Sequence, residues 1–145
     1  MAKGKSIHEL KIGESTELSR TVTEKDVEDF ARVTGDTNPV HTDQAYAEKT
    51  IFKGRIAHGV FSLGIFSTIL GNILPGYGTI YLSQEVKFLA PVRIGDTITA
   101  TVEVLELMLE KNRAKFRTTC TNQDGKLVVD GMAWAMPPRK ESFSD

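Results

Sequence analysis

Between Asp36 and Ser67 the chain concentrates the side chains that could move a proton. Asp36 and His41 flank the stiff segment Asp36-Thr37-Asn38-Pro39-Val40-His41. A carboxylate and a neutral imidazole can together hold and polarise one water, with proton traffic near neutral pH. A rigid bend would hold both with little entropy lost on binding. Gly59 is the second element. If a helix opens at His58-Gly59, its first N–H groups have no partner inside the helix and point along the positive end of its dipole. Such a terminus can hold a developing oxyanion, and a residue without a side chain lets a carbonyl come close. Ser67 lies roughly two turns further along the same helix, and its hydroxyl could orient Asp36 or His41.

Each of these residues also has a purely structural use. Asp and Asn are common turn formers, because their side chains bond local backbone. A serine on an apolar helix often bonds the carbonyl one turn back. His41 could cap a short helix, Gly59 could permit close packing, and His58 reads as a satisfied loop histidine. A metal reading would use Asp36, His41, Asp43 and His58, but their spacing matches no common zinc pattern, so no metal is assigned. Walker, dinucleotide and Gly-x-Ser-x-Gly motifs do not occur.

The elements that must carry these groups follow from periodicity. Thr23 and Asp26 form a capping box for a helix over Glu24 to Thr34, ended by Gly35. Pro39 prevents its continuation. Thr42 is expected to cap a short helix through Asp43 to Glu48. From His58 to Ile73 apolar residues cover nearly every side of a helical wheel, so the helix must be covered all round. Pro75-Gly76 stops it. Glu14 to Val22, Thr79 to Leu89, Thr97 to Met108, Ala114 to Thr121 and Lys126 to Met136 read as strands, with turns at Glu110-Lys111-Asn112 and Asn122 to Gly125. The first ten residues and the tail after Pro137 read as loosely held ends. The economical packing is α+β, with an antiparallel sheet wrapped around one helix. The open sheet edge calls for cover, hence a homodimer.

Composition narrows the function. A chain of 145 residues fits one domain, 1–145. Eighteen Lys and Arg against nineteen Asp and Glu leave a net charge of −1, without the basic excess that nucleic acid demands. The most apolar stretch is interrupted by polar groups, which argues against a membrane span. The start lacks the apolar core of a signal peptide. One cysteine, Cys120, excludes an internal disulfide and suits a reducing compartment, the cytoplasm.

Taken together, Phe30-Ala31-Arg32-Val33-Thr34-Gly35-Asp36-Thr37-Asn38-Pro39-Val40-His41-Thr42-Asp43 resembles the hydratase signature of MaoC-like proteins. Gly54-Arg55-Ile56-Ala57-His58-Gly59, the helix to Ser67 and the stretch from Pro75 to Gln84 are similar too. The resemblance runs from about Val22 to Met136, and is nearest to the (R)-specific enoyl-CoA hydratases of bacterial polyhydroxyalkanoate metabolism. It implies a hot-dog fold, with a long central helix wrapped by a curved antiparallel sheet in a homodimer. It implies Asp36 and His41 as the catalytic pair, Ser67 as their support and Gly59 as the carbonyl-binding N–H. A partner subunit would complete the acyl site. The implied reaction is reversible hydration of a trans-2-enoyl-CoA thioester, feeding fatty acid or polyhydroxyalkanoate metabolism, with no cofactor. Phe61, Leu70 and Trp134 are candidate walls of the acyl tunnel, and Lys87, Arg93 or Arg55 could line a phosphate entrance.

Three other readings stay open. The same chemistry could run backwards on a 3-hydroxyacyl-acyl-carrier-protein. A hot-dog thioesterase would want a carboxylate on the central helix, yet His58 to Leu74 contains no Asp or Glu. A non-catalytic thioester-binding module would have no need of the intact Asp36, His41, Gly59 and Ser67 set.

Overall fold

The computed structural model describes residues 3–140. Five strands, β1 (Ser15–Thr21), β2 (Ile80–Phe88), β3 (Thr97–Met108), β4 (Arg113–Thr121) and β5 (Leu127–Met136), form one antiparallel sheet in the order β1-β3-β4-β5-β2. The helices are α1 (Glu24–Thr34), α2 (Pro39–Thr42), α3 (Gln44–Glu48) and the long α4 (Phe61–Asn72). Helix α4 packs on β3 and on both edge strands, β1 and β2, so the sheet wraps it. This is the α+β, hot-dog arrangement.

Alternation dictates the sheet's inner face. Ile98, Ala100, Val102 and Val104 of β3, and Ala114, Phe116, Thr118 and Cys120 of β4, are all buried against the helix. From α4 they meet Ser62, Ile65, Phe66, Ile69 and Leu70, which recur at helical spacing. Phe66 and Phe116 are the largest fully buried side chains. Truncating either to Ala would cost about 3–5 kcal/mol.

The helix is not covered all round, contrary to the expectation from its wheel. Gly64, Ser67, Thr68 and Asn72 form an exposed stripe on the side away from the sheet. The apolar wheel hid this because small residues score as neither polar nor bulky. The ends differ too. Ser6, Ile7 and Leu10 are buried, and Gly4 and Lys5 donate backbone bonds to Tyr77 and Pro75 carbonyls at 3.1 and 2.8 Å. Pro137 and Pro138 are buried, and Asn112 Nδ2 donates to the Pro137 carbonyl at 2.9 Å. The end segments up to residue 140 are therefore fastened; the last residues of the expected loose tail lie outside the described residues.

Strand β2 is an edge held by an internal clamp. Gln84 turns its amide inward, donating to Thr118 Oγ1 at 2.8 Å and to the Met132 carbonyl at 3.3 Å, and accepts from the Tyr81 hydroxyl. Burial pushes that hydroxyl up to about 12, so it stays a donor. The clamp needs Gly131. A Cβ there would collide with the Glu85 carbonyl oxygen and stand 2.8 Å from Gln84 Nε2.

Candidate active site

Helix α1 ends as its sequence says it must. Gly35 takes φ +80°, and its N–H donates to the Ala31 carbonyl at 2.8 Å. The chain then turns through two Asx bonds. Asn38 N–H donates to Asp36 Oδ1 at 3.3 Å, and Val40 N–H to Asn38 Oδ1 at 3.2 Å. Asn38 thereby caps α2, with Pro39 in its first turn. This turn differs from expectation: residues 39–42 are helical and carry His41, and Asp43 rather than Thr42 caps α3 through Tyr46 N–H.

The turn delivers His41 into a mostly buried position, 9% exposed. Its Nδ1 lies 2.8 Å from the Ile56 carbonyl oxygen. A carbonyl only accepts, so Nδ1 carries the proton and Nε2 presents a lone pair. Arg55 fixes the same residue from behind, donating from Nε to the His41 carbonyl at 2.7 Å while its other end pairs with Glu24 at 2.7 Å. Arg55 is thus committed inside the fold. Arg93 donates to the Phe52 carbonyl at the surface. Of the three cations expected at a phosphate entrance, Arg55 is held inside the fold, whereas Arg93 and Lys87 stand exposed. Burial lowers the pKa of His41 below the ordinary histidine value. The bond to Ile56 opposes that shift, the neighbouring His58 adds to it, and the Asp36 charge opposes it.

One carboxylate oxygen of Asp36 and one ring nitrogen each of His41 and His58 lie within 4.8 Å of one another. That spacing lets a single water reach two of them at hydrogen-bond distance. The two imidazoles are stacked, centroids 3.9 Å apart and planes inclined at 28°. Each also spends one nitrogen on a backbone carbonyl. With one nitrogen of each ring occupied by a carbonyl, each imidazole keeps the other for proton chemistry.

His41 shares a cavity of about 430 Å³ with Gly59 and Ser62, closed by apolar Ile56, Phe88 and Val129. Residues 56–57 are tied across to the connection after β2: Ile56 bridges Arg93, and Ala57 N–H donates to the Val92 carbonyl at 2.7 Å. This sets Gly59 at the mouth of α4. The turn bonds there begin with Phe61 N–H to the His58 carbonyl at 3.0 Å, and the Gly59 N–H has no acceptor among the described residues. Helix α4 itself starts at Phe61, later than its sequence suggests, so the free amide belongs to the entry turn.

The remaining expected residues stand elsewhere. Ser67 is exposed, and among the described residues no hydrogen bond joins it to Asp36 or His41. It lies about 140° around the helix from Ser62, which is 2% exposed and faces the cavity. The wheel signal was present: position 62 shares a face with Ile65, Phe66 and Ile69. The expected tunnel walls Phe61, Leu70 and Trp134 do not line the cavity. Leu70 belongs to the core, Phe61 packs on Phe30, and Trp134 stands with Lys115 on the opposite sheet face. Phe88, which sequence reasoning passed over, lies against Gly59.

Residues 9–126 match the family model described as "MaoC like domain". The chain belongs to the MaoC-like family. Among MaoC-like relatives it is 51% identical to the (R)-specific enoyl-CoA hydratase of Rhodospirillum rubrum, over 91% of each chain. It is 44% identical to the 3-hydroxybutyryl-CoA dehydratase of Methylorubrum extorquens, over 92% of this chain and 84% of the relative. Among solved structures, the R-hydratase PhaJ1 from Pseudomonas aeruginosa, unliganded, superposes with a TM-score of 0.89 at 46% identity, covering 94% of this chain and 88% of the other.

Proposed function

We propose that this MaoC-like chain is an enoyl-CoA hydratase, a hydro-lyase that adds water to a trans-2-enoyl-CoA to give the (R)-3-hydroxyacyl-CoA, reversibly. One observation carries the reading. The Asp36 carboxylate and the His41 imidazole stand within one water of each other, and His41 lines the same apolar cavity as the unpaired Gly59 N–H. The pair holds the water and takes its proton as the oxygen attacks C3. The electrons move to the thioester oxygen, which Gly59 N–H stabilises, and a proton then returns to C2. Asp36 and His41 share their protons as a coupled pair. Relatives named for this activity in two bacteria support the assignment.

The acyl group enters beside Gly59 in this reading, and the substrate is a coenzyme A thioester. A mitochondrial 3-hydroxyacyl-[acyl-carrier-protein] dehydratase of Solanum lycopersicum, 38% identical over 89% of this chain, keeps the carrier-protein thioester as a second reading. The chain works as a homodimer. Ile80, Leu82 and Phe88 on the free edge strand, with Leu89 beyond it, leave an exposed apolar rim that a second copy would cover. It works in the cytoplasm, which keeps the buried Cys120 reduced; no described helix is long and apolar enough to cross a membrane.

The test is loss of enoyl absorbance with crotonyl-CoA, with chiral analysis of the product. The wild-type chain is expected to form the (R) product, and Asp36→Ala and His41→Ala each to lose at least about 10²-fold in kcat with unchanged folding. Free thiol release without hydration would instead mark a thioesterase. Light scattering should give twice the 16.0 kDa chain mass.

A further inference from the structure

His58 is 3% exposed, and its ring meets Asp36, His41 and Phe30 rather than the cavity. Its Nε2 lies 3.0 Å from the Asp36 backbone carbonyl oxygen. That oxygen only accepts, so Nε2 carries the proton. The ring is stacked on His41, centroids 3.9 Å apart. Behind it Phe30 packs at 4.7 Å, itself edge-on to Phe61 at 6.1 Å. With Nε2 protonated, Nδ1 is a bare lone pair, and this buried atom has no partner among the described residues. Burying an imidazole costs free energy that a phenylalanine would avoid, and the bond to the Asp36 carbonyl is what this ring supplies in return.

We propose that His58 is a positioning residue of the hydration site: one ring holds both members of the catalytic pair, gripping Asp36 through its backbone carbonyl and His41 through its ring face. The inference rests on the hydratase reading. Asp36 is exposed and sits in a turn whose other bonds span only two residues, from its N–H to Thr34 Oγ1 and from Asn38 N–H to its Oδ1. His58 is the long-range bond on that residue, reaching 22 positions back along the chain. His41 has its edge fixed by Ile56 and its face by His58. Without His58 the two groups would be tied to the fold separately, and their mutual spacing would loosen. Because His58 does not line the cavity, its loss should spare substrate binding and reduce turnover. Misplacement of such groups by about 1 Å can cost roughly 10²-fold.

Two substitutions separate the grips. His58→Phe keeps a stacking ring and loses the donor. His58→Gln loses the ring and keeps a donor at a similar reach. With crotonyl-CoA, kcat is expected to fall roughly 10- to 100-fold in His58→Phe, with KM within about twofold and the melting temperature close to wild type. His58→Gln should recover a substantial part of that kcat. Wild-type kcat in His58→Phe, or a fall carried by KM alone, would overturn the proposal. Long-range proton–nitrogen correlation on the wild-type protein provides a readout independent of turnover and of variant folding. His58 is expected as the Nε2–H tautomer and His41 as the Nδ1–H tautomer at pH 7.5. The opposite tautomer at His58 would sink the grip on Asp36. If the wild-type protein hydrates no enoyl-CoA, the hydratase reading falls, while the tautomer measurement still judges the bond.

Discussion

Phe88 lies so close to Gly59 that a Cβ built on the glycine would stand 2.9 Å from the ring's Cδ1 and Cε1. The amide that would hold the thioester oxygen is therefore exposed to a substrate on one side and roofed by an aromatic ring on the other. Phe88 is half exposed at the end of the edge strand, so it could swing out to admit a methyl group. Gly59→Ala is expected to fold with little loss of stability. Its kcat/KM for crotonyl-CoA should fall by about 10²-fold or more, because the carbonyl can no longer approach the N–H. Adding Phe88→Ala relieves the ring contact but not the blocked approach, so steady-state kinetics of the double variant should recover only part of the loss.

Asp36→Asn tests charge apart from loop geometry. The amide oxygen can still accept from Asn38 N–H, so the turn and the cap of α2 survive. What disappears is the negative charge facing His41. Turnover should drop nearly as far as in Asp36→Ala, with a melting temperature within a few degrees of wild type. Full turnover in the Asn variant would remove the carboxylate from the reaction.

The pH profile follows from burial of His41. Desolvation lowers its pKa below 6.5, so the neutral imidazole persists into mildly acidic solution. The acid limb of kcat/KM for crotonyl-CoA should bend below pH 6.5, since that ratio reports the free enzyme. Stability carries the same sign. The unfolded chain takes up a proton at this site at higher pH than the folded chain does. The contribution is therefore fully present above the unfolded value of 6.5 and is lost as pH falls through the folded value. A limb bending above 6.5 would mean that the Asp36 charge outweighs burial.

Arg55 and Glu24 should respond unequally. The Arg55 side chain is 10% exposed and holds the His41 carbonyl, whereas Glu24 is 63% exposed. Glu24→Gln is expected to change thermal stability by no more than about 1 kcal/mol. Arg55→Met leaves the buried carbonyl without its charged donor and should cost roughly 1.5–3 kcal/mol, with a fall in kcat. An entrance role for Arg55 would show instead as a raised KM for the CoA substrate with normal stability.

Much of this was legible before any coordinates. Helix α1 falls on residues 24–34 because Thr23, Asp26 and Gly35 each state a boundary locally. The five strands appear within about two residues of their alternating segments for the same reason. The pairing of Asp36 with His41 was readable because a short stiff loop leaves few other arrangements. What the sequence hid is what depends on facing. Ser62 and Ser67 are chemically alike, and only packing decides that the first meets the cavity. Arg55 reads as a surface cation until its reach to His41 and Glu24 is seen. Tunnel walls could not be placed, since Phe61, Leu70 and Trp134 differ in which side of the sheet or helix they serve. His58 reads as a bystander until its ring is found between Phe30 and His41.

The side chain that Gly131 lacks reaches further than its size suggests. The rim strand is secured partly by a side chain folded into its neighbour's missing volume, so a lone methyl there would evict the Gln84 amide and pry the outermost ribbon loose. That ribbon ends in Phe88, the roof over Gly59. A lesion on the neighbouring strand would thus be felt as a slackened lid over the reacting thioester, and any second copy docking on the same ribbon would lose its foothold at the same stroke.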